Sequence, residues 1–199
     1  KTSEAEEAAK FGRKPGQIKV KDVNPDGKID ANDRQIVGKV RPRWSGGWHN
    51  TFSYKNFELS CFIYARWKFT VAKGAETLGG MYAMRDVDYW IKDINEDAEY
   101  YSPGSQGQNA DTYSSSMNYQ DGSYIKMRNI SLGYTFPKDV TSKLGMSNLK
   151  VYVQAMNPFT IYKKCKWLDT DLLSYDNNST SYGSGTTIKS WVIGLNIGF

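Results

Sequence analysis

The chain has 199 residues, a formal net charge of +5, one histidine and two cysteines. This speaks against a disulfide-stapled scaffold and against a histidine-based zinc or catalytic centre. Mean hydropathy is −0.62, and no apolar run approaches the ~18 residues of a membrane helix, so a helical span is excluded. Aromatic residues make up 14% of the chain, with 14 Tyr and 6 Trp beside 18 Gly, a composition that favours strands over helices. The positive excess forms no clustered basic stripe, so nucleic acid is not an expected partner.

In chain order, the opening KTSEAEEAAK is charged and Ala/Glu-rich. It lacks the apolar core of a secretion signal, so an exported protein would have its true start elsewhere. Lys14-Pro15-Gly16 predicts a turn, and Gln17–Lys21 predicts a short extended piece. DVNPDGKIDAND, residues 22–33, is the sharpest local motif. Asp22, Asn24, Asp26, Asp30 and Asp33 stand at loop positions one, three, five, nine and twelve, with Gly27 at six and Ile29 at eight. Oxygen donors at every second residue can wrap a calcium ion, and the Lys28 carbonyl would supply the seventh-position ligand. Asp33 in place of Glu, and an extended rather than helical lead-in, depart from an EF-hand. The pattern suits a dockerin-like half-site followed by a short helix over Asp33–Val37, with structural Ca2+ as the expected ion. The plainer reading is an Asx-rich turn with no ion.

From Trp44 the residues alternate. Trp44, Gly46, Trp48, Asn50, Phe52 and Tyr54 share one face, and Ser45, Gly47, His49, Thr51 and Ser53 the other. Lys55-Asn56 predicts a tight turn into a return strand with Phe57, Leu59, Cys61, Ile63, Ala65 and Trp67 on one face. Strands of about eleven residues are longer than sandwich strands and suit tilted membrane crossings. Residues 68–122 predict a long connection, with a short amphipathic helix near 81–95 carrying Met84, Val87, Ile91 and Ile94. The next strand, 123–136, puts Ile130, Leu132, Tyr134 and Phe136 on one face. Lys126 and Arg128 fall on that same face unless a bulge breaks the register. After a turn over 137–148, a strand over 149–159 and a polar loop over 160–187, the last strand, 188–199, alternates Trp191, Ile193, Leu195, Ile197 and Phe199. Cys61 lies in a strand and Cys165 in a polar loop, so no bridge between them is expected.

Short and long connections therefore alternate between five strands: 44–54, 57–67, 123–136, 149–159 and 188–199. Transmembrane barrels show this asymmetry, with short periplasmic turns and long extracellular loops. Residues 1–43, with the loop 22–33, would then be an extracellular segment. A soluble sandwich could carry the same terminal strand pattern, so a barrel and a soluble β protein both remain open at this point.

As an ordered set, IKVKDVNPDGKIDANDRQIVGKVRPRWSGGWHNTFSYKNFELSCFI, SYIKMRNISLGYTFP, SNLKVYVQAMNPFT and WVIGLNIGF resemble the C-terminal region of SusC/RagA-type TonB-linked outer-membrane proteins. The stretch DVDYWIKDINEDAEYYSP is similar to a degraded form of that family's Trp–Asn–Pro loop segment, and a strand ending on Phe199 looks like an outer-membrane insertion signal. The resemblance implies an all-β fold, the last five strands of a transmembrane antiparallel β-barrel of about 22 strands. It also implies outer-membrane lipid as solvent, a SusD-like surface lipoprotein, TonB acting through an absent N-terminal region, and import of glycan fragments or peptides without covalent chemistry. The alternative is a secreted β-rich carbohydrate-binding module with a dockerin-like calcium loop. In either case Trp90, Tyr100, Tyr101, Trp167 and Tyr175 are candidates for stacking on sugars, loop packing being the plainer role. Asp169 and Asp171, two residues apart in a loop, do not by themselves argue for glycoside hydrolysis.

Overall fold

A computed structural model describes residues 1–72, 88–102, 116, 119–165, 169, 171 and 187–199. By its contacts the chain divides into two units, one of Lys1–Val37 with Gly74–Asn118, the other of Gly38–Lys73 with Tyr119–Phe199.

The second unit is built on a five-stranded antiparallel sheet. Its strands are β1 (Trp44–Tyr54), β2 (Phe57–Trp67), β5 (Tyr124–Thr135), β6 (Asn148–Lys163) and β7 (Ser190–Gly198), in the order β1-β2-β5-β6-β7. A separate small ribbon pairs β3 (Thr70–Ala72) with β4 (Tyr119–Asp121). The register shows why these residues take this form. Trp44 faces Trp67, Trp48 faces Ile63, Phe52 faces Leu59 and Tyr54 faces Phe57 across β1 and β2. Leu59 in turn faces Leu132, Leu132 faces Val153, and Val153 faces Ile193. Period-two patterns on all five strands thus line up into one apolar face. That face is open: Trp48 is 62% exposed, Trp191 72% and Ile193 78%. A row of large apolar side chains left open in this way calls for an apolar solvent.

Aromatic pairs mark both ends of this face. Trp44 stacks on Trp67 at 6.1 Å between ring centroids, and Trp67 meets Tyr162 at 5.4 Å. At the opposite end Phe57 meets Tyr134 at 4.7 Å, and Tyr134 meets Phe136 edge-on at 5.1 Å. Eleven residues make about 35 Å of strand, enough at a tilt of about 45° to cross an apolar band about 25 Å tall between two aromatic girdles.

The other face carries His49, Thr51, Glu58, Ser60, Asn129, Ser131 and Gln154. Here Lys150 pairs with Glu58 at 2.8 Å. Gly194 lies beneath the Tyr152 ring so closely that a Cβ would sit 2.3 Å from it, so an alanine there would push the aromatic off the sheet.

Several expectations are corrected. β6 runs to Lys163, four residues past 159, because Phe159, Thr160 and Tyr162 still find partners on β5. The connection 68–122 also holds two short strands that were not expected, β3 and β4. The expected helix near 81–95 is not formed by its described residues, 88–95; Met84 and Val87 lie outside the described residues. Ile91 and Asn95 instead bond each other's backbones at 3.1 and 2.9 Å around a turn with Asp93 at φ 61°. Tyr89 bridges to Tyr100. The Asn95 side chain, donating to Asp88 at 2.5 Å, closes the turn against the helical spacing of Ile91 and Ile94. Cys165, expected in a polar loop, is buried, its thiol donating to the Gln120 side chain at 3.2 Å. It is 1% exposed and packs with Phe69, Val71 and Tyr124 in a small core; both thiols are free.

Candidate functional site

Two aspartate-bearing constellations stand out. The first is the loop Asp22–Asp33, in the first unit. Gly27, at φ +78° with open space around its Cβ position, supplies the left-handed bend that position six requires. The Asp33 carboxylate accepts from the amides of Val23 (2.7 Å), Asn24 (3.5 Å) and Asp30 (2.8 Å). Asp22 accepts from the Gly27 amide at 2.8 Å, and Asp26 accepts from the Lys28 amide at 2.9 Å and the Asn24 side chain at 3.1 Å. Asp30 caps a single 3-10 turn, Ala31–Asp33, by accepting from the Asn32 amide at 2.7 Å. Residues 34–37 do not continue as the expected helix; Arg34 is already extended.

The donor set suits a hard cation: four carboxylates, one side-chain amide and the Lys28 carbonyl. One oxygen, Asp22 Oδ1, is buried with no hydrogen-bond partner among the described residues. The other carboxylates turn to the loop's own amides, and among the described residues no three acidic, His or Cys side chains gather as a metal-holding group. Backbone amides from Asp30 and Val23, then Asn24, hold the Asp33 carboxyl below the ordinary carboxylate range.

The second constellation, in the second unit, is one that sequence periodicity misplaces. Arg128 is the extra residue of a bulge: Ile63 faces Met127 and Phe62 faces Asn129, which leaves Arg128 unpaired in the ladder. A bulge reverses the face of everything beyond it. Lys126, expected with Ile130 and Leu132, therefore stands with Tyr124 on the polar face beside Tyr64 and Arg66. There the Lys126 ammonium donates to Asp169 at 3.1 Å (both oxygens), to Asp171 at 3.3 Å and to the Thr187 hydroxyl at 2.7 Å. Asp171 also accepts from the Tyr124 hydroxyl at 2.6 Å and from Arg128 at 2.5 Å. The Arg128 guanidinium lies over the Tyr64 ring at 5.4 Å and reaches the Asn157 side chain at 3.3 Å.

Lys126 is 4% exposed, and the Asp171 side chain 5%. Burial pushes both carboxyls up. For Asp169 the Thr187 hydroxyl and Lys126 outweigh it, and for Asp171 the Tyr124 hydroxyl, Arg128 and Lys126 do, so both end below the ordinary carboxylate value. The only sequence clue was the conflict itself, two cations on an apolar register.

Two of the loop aromatics that are candidates for sugar stacking are packed within the protein. Tyr100 is buried, and the Trp90 ring packs so close to Gly16 that a Cβ there would approach it to 2.7 Å. Tyr101 is half-buried, and Trp167 and Tyr175 lie outside the described residues.

No protein-family model matches the chain. Curated proteins do. The chain is 27% identical over 199 residues to TonB-dependent receptor P3 of Formosa agariphila, a match covering 93% of this chain and 19% of that protein. It is 30% identical over 225 residues to TonB-dependent receptor P39 of the same organism, covering 97% and 20%. To TonB-dependent receptor SusC of Bacteroides thetaiotaomicron it is 29% identical over 170 residues, covering 81% and 16%. The chain thus spans about a fifth of the length of the curated relatives it matches. Among solved structures, the RagAB peptide transporter aligns with TM-score 0.61 at 19% identity, covering 92% of this chain and 20% of that one. The RagAB peptide importer in its open-open state aligns at 0.60 and 18%, covering 87% and 19%. At those identities the structural likeness concerns the fold, and it places the five-stranded sheet within a large antiparallel β-barrel. Along most of its length the chain is thus similar in sequence to TonB-dependent receptors, SusC among them, and its fold matches part of the outer-membrane RagAB transporter.

Proposed function

We propose that the chain is a wall segment of an outer-membrane importer that takes up glycan fragments or peptides. A TonB-type energy coupler would drive it, and a SusD-like lipoprotein would seat over the extracellular side. The observation that carries this reading is the two-faced sheet. One face is a continuous open apolar surface from Trp44 to Trp191, bounded by aromatics, and the other is polar. A wall of this kind crosses lipid with one side and lines an aqueous interior with the other. The polar face offers hydroxyls, amides and charges for passage, so the expected activity is translocation without covalent chemistry. Relatives named as TonB-dependent receptors and a neighbour named as a peptide transporter support the same class. A secreted carbohydrate-binding module would leave the apolar face in water, which disfavours it.

The test uses the full-length protein in its native membrane. Cells carrying it should take up labelled oligosaccharide or labelled oligopeptide, and uptake should stop when the proton gradient across the inner membrane is collapsed. The substrate class that is taken up decides between glycan and peptide. Retention of the protein in the soluble fraction, or uptake indifferent to the gradient, would overturn the reading.

For the loop 22–33 the reading is one structural Ca2+ held by Asp22, Asn24, Asp26, the Lys28 carbonyl, Asp30 and Asp33. When bound, the ion supplies a rigid clip and no reaction chemistry. A short Asp at position twelve is tolerable where affinities of about 10⁻⁴–10⁻³ M suffice, as outside cells.

A further inference from the structure

The Lys126 cluster has a feature that neither the barrel wall nor substrate passage requires. Asp169 and Asp171 lie where the chain leaves β6, and Thr187 lies where it returns to β7. All three meet one ammonium. Thr187 binds Asp169 twice more, its hydroxyl donating to Oδ2 and its amide donating to the same oxygen at 3.1 Å. The Asp171 amide donates to Asp169 at 3.3 Å. Next to Thr187, the Ile188 carbonyl accepts from the Asn157 side chain at 3.2 Å. Asn157 is the same residue that Arg128 contacts, and it sits in a β6 bulge opposite Arg128 with φ 50°. Two facing irregularities in the β5–β6 ladder thus present Lys126, Arg128 and Asn157 to the two ends of one connection.

An apolar contact would be the simpler way to attach such a connection. One already exists alongside, in Phe69, Val71, Tyr124 and Cys165. Buried ion pairs contribute little net stability over apolar packing, but they are strongly directional, and breaking one side leaves a costly unpaired charge. Here two cations on the strand meet two carboxylates on the connection, so opening it leaves charges of both signs unpaired.

We propose that Lys126, Arg128, Asn157, Asp169, Asp171 and Thr187 form a clasp, a conformational device that pins both ends of the β6–β7 connection to one point on the polar, inner face of β5 and opens as a unit. Lys126 is its centre. Asp169 joins the two ends, because it holds the Thr187 amide and the Asp171 amide at once. The clasp is independent of which substrate passes, so it stands or falls apart from the proposed transport.

The test is amide hydrogen exchange by mass spectrometry on the full-length receptor in detergent micelles, comparing wild type with Lys126→Met. The Thr187 and Asp171 amides are expected to exchange more than about a hundredfold faster in the variant, the loss a broken buried pair implies. Amides of the Leu132–Val153 ladder and the Lys164 amide, which donates to the Ser123 carbonyl at 3.0 Å, should keep their rates. Unchanged exchange at Thr187 and Asp171 would overturn the clasp, and so would equal acceleration of the ladder, which would make Lys126 a general support of the sheet. If Lys126→Met does not assemble, Arg128→Gln decides. That change removes one of two cations from Asp171 and should speed the Asp171 and Thr187 amides together, about tenfold or more, whereas acceleration of Asp171 alone would overturn the opening as a unit. No change at Asp171 would overturn the proposal.

Discussion

The loop Asp22–Asp33 and the Lys126 cluster both hold aspartates in dense hydrogen-bond networks, yet they are built in opposite ways. The loop is exposed, its carboxylates come from twelve consecutive residues, and their partners are mostly its own amides. The cluster is largely buried, its carboxylates lie more than forty residues along the chain from its cations, and each carboxylate is met by a cation from β5. Local networks of backbone amides form without the rest of the fold. A buried ionic network exists only once strands have paired, and it then specifies one arrangement. The difference teaches that aspartate spacing is informative where partners are local and silent where they are distant.

The largest expected effect is at the buried site. Asp171→Ala removes the carboxylate paired with Arg128 and one of the two paired with Lys126 and should cost about 3–5 kcal/mol, read as a lower unfolding temperature of the full-length receptor by gel mobility. A loss no larger than that of an exposed ion pair, ~0–1 kcal/mol, would erase the contrast. Next comes Asp33→Ala, which strips acceptors from the Val23, Asn24 and Asp30 amides. It should raise protease cleavage within residues 22–33 while leaving the unfolding temperature unchanged. A lowered temperature would mean that the loop is coupled to the barrel.

Millimolar calcium should slow cleavage of the wild-type loop, and Asp26→Ala should abolish that protection. Equal protection in the variant, or by magnesium, would leave the loop an Asx turn. The smallest effect is with pH. The Asp33 carboxyl is depressed in the folded loop, so its contribution is fully present above the unfolded value of about 3.9 and is lost as pH falls through the lower folded value. Protease sensitivity of the loop should therefore be flat from about pH 8 to 5 and rise only below about pH 4. A rise already between pH 7 and 5 would assign the change to another group.

Much of the fold was legible in the sequence because its pattern is set by neighbours one and two residues away. Alternation on Trp44–Tyr54, Phe57–Trp67 and Trp191–Phe199 announced strands with one apolar face. Lys55-Asn56 announced the hairpin, and Gly27 with its flanking Asp and Asn residues announced the loop. What misled were patterns that competing tertiary contacts overrode. Ile91 and Ile94 have helical spacing, but the backbone bonds between Ile91 and Asn95 close a turn instead. β6 outran its expected end because β5 continued beside it.

By itself the sequence determined the five long strands in outline, the apolar faces of Trp44–Tyr54, Phe57–Trp67 and Trp191–Phe199, the tight turn at Lys55-Asn56 and the spacing of Asp and Asn in Asp22–Asp33, all of which follow from side-chain alternation and local backbone chemistry. Only tertiary structure decided where the register breaks. An unpaired Arg128 is visible only when Ile63 and Phe62 are seen opposite Met127 and Asn129. That one extra residue moved Lys126 from the apolar face to the inner one and gave Asp169 and Asp171 their counter-charges, because a strand's side chains change face with every residue inserted.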